Sequence, residues 1–296
     1  MTCQLTTISN DPCSLPQLPA WVTGAPAETL EDVAFLSGAA LAHLNLVQSR
    51  DDVPQSLLRA RMSLRAAEAC VAQSGRPERA RELRDAVAFL QPGDNPGPAG
   101  EVYQCWRRAV ERPVSVKALH RALPEIEAEQ IAAWLDAGQG APVRRAAAVL
   151  QAVLEDRPRD LATAVILADA ALGQALGWDH VLPLVTLGLK RGDLRKTGEA
   201  LQLACHRAIG TAAVESTREA ADLARRAARL KAVAPKLRAR GAEEAVALFL
   251  TQDAVAPTSL TSLRSDRAAR RFCDRLVELG AVRELTGRDT FRLYGV

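Results

Sequence analysis

The sequence predicts a mainly α-helical protein, an irregular helical bundle followed by a small C-terminal winged helix-turn-helix made of helices plus a β-hairpin. Three observations carry this. Aromatic residues are only 4% of the 296 residues, while Ala, Leu and Arg dominate, a mix that favours helices over a large sheet. Apolar residues recur at helical spacing through most of the chain. Only the C-terminal end turns to short runs of β-favouring residues around a glycine.

Residues 1–27 are rich in Pro, Ser and Thr and read as an extended N-terminal arm, with Trp21 expected to dock on the body. Helices follow at 28–48, 54–73 and 77–90, the last two separated by the bend Gly75-Arg76-Pro77. The run Gln91-Pro92-Gly93-Asp94-Asn95-Pro96-Gly97-Pro98 is a strong loop signal. A helix at 101–112 carries Trp106. Further helices are expected at 124–137, 142–155, 159–177, 180–190 and 195–231. No repeat of fixed period is present. Pro235 breaks the helical pattern beside a basic hinge, Lys236-Leu237-Arg238-Ala239-Arg240-Gly241. The expected organisation is an arm (1–27), a helical domain (28–234) and a winged-helix domain (235–296). With 48% apolar and 25% charged residues, the chain is ordinary globular material, long enough for one large or two domains.

The C-terminal module can be read position by position. Residues 242–251 form an amphipathic helix, 253–257 a turn, 258–263 a short second helix and 266–279 a third. On that third helix Arg267, Arg270, Arg271, Asp274, Arg275 and Glu278 share one side. Ala268, Ala269, Phe272, Cys273, Leu276, Leu279 and Gly280 share the other, with Val277 stranded among the polar positions. Ser265 or Asp266 can cap the start, and Gly280 suits a left-handed exit. The hairpin at 282–294, turning at Gly287-Arg288-Asp289, is expected to set Leu285 opposite Phe291 and Glu284 opposite Arg292.

Charge distribution points to function. The chain carries a net +3, yet from Arg225 to Val296 there are 15 Lys+Arg against 8 Asp+Glu. That balance of +7 leaves −4 for the remainder and concentrates positive charge where a helix-turn-helix would meet phosphates. The expected DNA contacts are Arg267, Arg270, Arg271 and Arg275 on the helix, with Arg288 and Arg292 on the wing. Arginine reads guanine edges and holds phosphates. The expected partner is duplex DNA, in transcriptional control or replicon maintenance. The plainer reading of the same arginines is a solvated face, partly neutralised by Asp274 and Glu278. A docking surface for a protein is the alternative, and the face of Leu223, Ala227 and Leu230 in residues 215–233 reads first as core packing, with a homodimer seam left open.

No catalytic, cofactor or metal site is expected. The histidines His43, His120, His180 and His206 are isolated, and the six cysteines (Cys3, Cys13, Cys70, Cys105, Cys205, Cys273) form no C-x-x-C pair. P-loop, G-x-S-x-G and G-x-G-x-x-G motifs are absent. An enzyme site would have to use Asp85 and the glycine-rich 93–100 loop, whose plainer reading is an inter-helix turn capped by Asp94. Asp169 and the Gly177-Trp178-Asp179 corner read as a buried acid paired with an Arg such as Arg84 or Arg65. The thiols read as reduced core residues. With no signal-peptide pattern and no run of about 18 apolar residues, a cytoplasmic location is expected.

Several segments also resemble a bacterial domain-of-unknown-function family, the one numbered fourteen hundred and three. They are Phe35-Leu36-Ser37-Gly38-Ala39-Ala40-Leu41, Leu83-Arg84-Asp85-Ala86, Pro96-Gly97-Pro98-Ala99-Gly100, Trp106-Arg107-Arg108, Leu167-Ala168-Asp169, Leu176-Gly177-Trp178, Ala234-Pro235-Lys236-Leu237-Arg238-Ala239 and the ending from Gly280 to Gly295. The resemblance runs from about residue 18 to the C-terminus. It implies the fold and a bacterial origin, often on plasmids, and no activity. Endings of this kind are similar to winged-helix segments of other bacterial proteins, some related to Fic proteins. The H-P-F motif of Fic proteins is missing here, so AMP transfer is not implied.

Overall fold

A computed structural model describes residues 18–24, 27, 29–91, 93–288 and 290–296. Helix accounts for 68% of the structure and strand for 2%. The helices are α1 (Ala20–Gly24), α2 (Leu30–Gln48), α3 (Gln55–Gln73), α4 (Ala80–Ala88), α5 (Gly97–Glu111), α6 (Val116–Ala122), α7 (Ala128–Asp136), α8 (Pro142–Asp156), α9 (Leu161–Leu176), α10 (Leu184–Gly188), α11 (Gly198–Val233), α12 (Ala242–Phe249) and α13 (Asp266–Glu278). Two short strands, β1 (Arg283–Glu284) and β2 (Tyr294–Gly295), close the chain.

The long helix α11 is the spine of the body. It packs against α2, α8 and α10, while α3 packs on α5 and α8 on α9. At 16 residues, α9 is almost wholly buried from Thr163 to Gly173, which explains why it shows no polar stripe. Trp106 of α5 is fully buried and points its indole N–H at Cys70 Sγ of α3, 3.4 Å away. Gly188 lets α10 press on α11, because a Cβ there would lie 2.1 Å from the Ala208 carbonyl oxygen. At 19 residues, with a mean hydropathy of 1.2 over an 18-residue stretch, α2 is apolar and long enough to cross a membrane by composition. In this fold its Val33, Ala40, Leu41, Leu44 and Val47 side chains are buried.

Several boundaries differ from expectation, each for a local reason. Residues 20–24 form a helical turn rather than extended arm, and Trp21 stacks on Phe35 with ring centroids 5.5 Å apart. Residues 1–17 lie outside the described residues. The sequence reading missed α6, although Ser115 caps it by accepting from the Ala118 N–H at 3.1 Å. The helix expected at 180–190 is reduced to α10, because Pro183 precludes an earlier start. The expected second helix at 258–263 is only a 3₁₀ turn, Pro257–Ser259.

The hairpin register is also shifted. Glu284 faces Tyr294, and the Leu285 N–H donates to the Leu293 carbonyl, so Leu285 does not face Phe291. Phe291 instead adopts a left-handed φ of 56°, a conformation that strains an aromatic residue. Its ring meets Phe89, at the end of α4, edge-on at 5.6 Å. Phe291 therefore lies in the turn, outside the paired strands, and is 72% exposed. A third extended residue joins the pair: Val255 exchanges two backbone hydrogen bonds with Tyr294, at 2.8 and 2.9 Å. The chain order is therefore α12, an extended Val255, a 3₁₀ turn, α13, β1 and β2, with Tyr294 paired on both sides.

Asp253, just before Val255, holds this segment to the body. It is 4% exposed and accepts from Arg61 Nε of α3 and from Arg84 Nε of α4, the latter at 2.9 Å. Arg61 also reaches Glu219 of α11 at 3.3 Å and the Val296 carbonyl at 3.0 Å. The Asp253→Ala variant would leave the part-buried Arg84 without its carboxylate and Arg61 with Glu219 alone. Removing one partner of such a pair typically costs about 3–5 kcal/mol. A thermal or denaturant melt is expected to show a loss of that order, and a loss under about 1 kcal/mol would remove the anchor from the account.

Candidate nucleic-acid interface

The side chains of α13 partition as its spacing demands. Ala269, Phe272, Cys273 and Leu276 are buried, while Arg267, Arg270, Arg271 and Arg275 are exposed. Ser265 caps the helix by accepting the Ala268 N–H at 3.3 Å. At its far end Gly280 turns the chain with φ 62°. A Cβ there would stand 2.5 Å from the Arg229 guanidinium, which reaches across from α11 toward the Leu279 carbonyl. Tyr294 Oη lies 3.5 Å from Asp274, joining the last strand to the helix.

The six arginines of the candidate interface fall into two groups. Among the described residues, Arg267, Arg270 and Arg271 have no ion-pair partner. Arg275 pairs with Glu278 at 2.9 Å, one turn on and equally exposed, a contact of small energetic weight. Arg288 Nη2 lies 2.6 Å from Asp85 Oδ2 of α4, and Arg292 lies 3.8 Å from Glu284 and donates to the Arg288 carbonyl. Arg288 is thus tied to the body, Arg292 is engaged within its own hairpin, and the Phe291 ring meets Phe89. Arg81 adds a hydrogen bond to the Thr286 carbonyl. Asp289 lies outside the described residues.

The other candidates are accounted for by local bonding. In the 93–100 loop, Asp94 accepts from the Gln91 N–H at 2.8 Å and Asn95 from the Gly97 N–H at 2.6 Å. Both side chains are therefore spent on the turn itself. Pro92 lies outside the described residues. Arg84 pairs with Asp253 and Arg65 with Glu215, so neither serves Asp169. Instead Asp169 accepts from the Val185 N–H, the Thr186 N–H and the Thr186 hydroxyl, at 2.7, 3.2 and 2.7 Å. It fastens the start of α10 to the centre of α9. Burial, opposed by these donors, still lifts its carboxyl to about 7.

A pairing that sequence reading missed joins Ser37 of α2 to His206 of α11 at 2.7 Å. They lie 169 residues apart, and no local pattern announces them. The Ser37 hydroxyl also lies 3.1 Å from the Ala34 carbonyl, and both side chains are buried, so the pair acts as a helix-to-helix bridge. Burial holds the His206 imidazole below its usual range. Cys70, Cys205 and Cys273 are buried thiols pushed up to about 12, and Cys105 is half-buried. Cys3 and Cys13 lie outside the described residues. Among the described residues, no three His, Cys, Asp or Glu side chains are grouped to hold a metal.

A family model for a protein of unknown function, DUF1403, matches residues 6–296. The chain belongs to the DUF1403 family. The match spans the helical body and the C-terminal segment together, and the family description assigns no activity. A search of curated proteins finds no match.

Asp169 supplies a pH test. Its carboxyl titrates at about 7 when folded, against 3.8 for the ordinary group. The folded state therefore holds a proton that the unfolded chain has released, and stability from this site falls as pH rises from 3.8 to about 7. Asp169→Asn removes that titration. The melting-temperature difference between wild type and variant is expected to shrink across that range. Parallel pH profiles would show that Asp169 is already ionised.

Proposed function

We propose that residues 235–296 form a winged-helix module that binds duplex DNA, and that the protein is non-enzymatic and serves transcriptional control or replicon maintenance. The observation that carries this is the outer face of α13. Arg267, Arg270 and Arg271 stand exposed on its N-terminal half, without carboxylate partners among the described residues. In helix-turn-helix proteins that half of the last helix reaches base edges. The order of α12, Val255, a 3₁₀ turn, α13 and two strands supports the winged-helix reading, with Val255 and β1 flanking β2 as a minimal sheet. Arg275 and Arg292 extend the positive face. Arg288, tied to Asp85 in the free protein, contributes to DNA only if that pair opens. Reduced thiols fit a cytoplasmic setting.

Docking on a protein is the second reading, favoured by Phe291, which is 72% exposed with its ring beside Phe89, and by Arg288 being held by Asp85. Fluorescence anisotropy with labelled duplex DNA separates the two. DNA binding should weaken steeply with salt, because phosphate contacts release counterions. Replacing Arg267, Arg270 or Arg271 by Ala should cost about 1–3 kcal/mol if it reads a base, with relaxed sequence preference. Phosphate contacts should instead weaken all sequences alike and flatten the salt slope. A wild-type protein that binds no duplex even at low salt would exclude the DNA reading and favour the docking one.

A further inference from the structure

A cleft of about 720 Å³ opens where the helical body meets the C-terminal segment. One wall comes from α3 and α5, the other from residues 251–259 and Leu293, with Arg84 of α4 between them. Four arginines line it: Arg59, Arg84, Arg107 and Arg108. Arg84 is satisfied by Asp253. Among the described residues the other three have no carboxylate partner. Arg59 touches only the Ser56 hydroxyl, at 3.2 Å. Its Nε is shut away from solvent and makes no hydrogen bond. Arg107 lies over the Tyr103 ring at 5.8 Å, and Arg108 reaches the Gln104 carbonyl oxygen at 3.2 Å. Glu111, exposed at the rim, is the only other acid on the lining.

This arrangement is costly without a ligand. A buried guanidinium nitrogen left unbonded forfeits its hydration, and burial already pulls the Arg59 guanidinium below its usual range. Like charges gathered in one recess also repel. An anion with several acceptor oxygens relieves the repulsion and supplies acceptors to the guanidinium donors that open on the cleft. Guanidinium groups present paired donors that match phosphate oxygens two at a time. The volume lies in the range that encloses small organic ligands and is far larger than a bare phosphate requires.

We infer that the cleft is a binding site for a phosphorylated small molecule, held by Arg59, Arg107 and Arg108. Such a ligand bridges the helical body and the C-terminal segment, so its binding stabilises their junction. The site stands independently of the DNA reading, because it lies apart from the exposed arginines of α13 and takes a small ligand.

The test is isothermal titration of the full chain with pyrophosphate, ATP and ribose 5-phosphate, with citrate and adenosine as controls, beside a thermal melt with each. The expected result is saturable binding of at least one phosphate-bearing probe and a raised melting temperature. ATP alone points to a nucleotide, and ribose 5-phosphate alone to a sugar phosphate. Adenosine should not bind, and citrate should bind at least tenfold more weakly. Arg107→Gln, at an exposed position, and Arg59→Gln should each weaken the bound probe by about tenfold or more, with the melt of the ligand-free Arg107→Gln protein unchanged. Absence of binding by all three phosphate probes, equal binding of citrate, or binding that survives both substitutions would overturn the assignment. Loss of duplex DNA binding in Arg107→Gln, with no small-anion binding by the wild type, would make the cleft part of a nucleic-acid interface instead.

Discussion

A single carboxylate, that of Asp253, sits where the body and the C-terminal segment meet, and both depend on it. The group is almost fully buried, and Arg61 and Arg84 converge on it from two different helices. Arg61 passes the connection on to Glu219 of α11 and to the last residue of the chain. Two residues beyond Asp253, Val255 pairs with Tyr294, so the same anchor fixes the strand that supports α13. Ion pairs of this kind add less net stability than apolar packing of equal volume, but they enforce geometry, since any slippage leaves a buried charge bare. The register of the C-terminal segment on the body follows from that constraint.

The orientation of α13 follows in turn. Phe272, Cys273 and Leu276 join the set of buried apolar side chains that also includes the body's core. Arg229 closes over Gly280 from α11. With its apolar face covered and its end pinned, α13 has one free surface, and that surface carries Arg267, Arg270 and Arg271. The hairpin beyond it lies down on α4 through Arg288 and Phe291. A nucleic-acid contact by this protein would therefore rely on α13 more than on the hairpin.

Much of this was legible in the sequence, for identifiable reasons. Amphipathic spacing and caps act over a few residues, so the faces of α13, its Ser265 cap and its Gly280 exit could be read directly. The Asp94 turn was equally local, but the expected 93–100 loop stops short, because α5 already begins at Gly97. What could not be read depends on partners distant in sequence. Arg84 finds Asp253, 169 residues away, and Arg288 finds Asp85 across the whole chain. Phe291 has the composition of a strand residue, yet it sits in the turn with a left-handed φ and meets Phe89, far away in sequence. Asp169 was read as a salt-bridged acid, yet it is satisfied by neutral donors at the start of α10. The arginine cleft was invisible for the same reason, because its walls are contributed by segments that lie far apart in the chain.

Hydrogen–deuterium exchange of the full chain with and without duplex DNA tests the central claim most directly, since it locates the contact without any substitution. The account predicts slowed exchange across residues 266–278, strongest in the first two turns of α13, with the buried helix α9 unchanged. Protection confined to the body, or no protection anywhere at DNA concentrations that saturate binding, would contradict it.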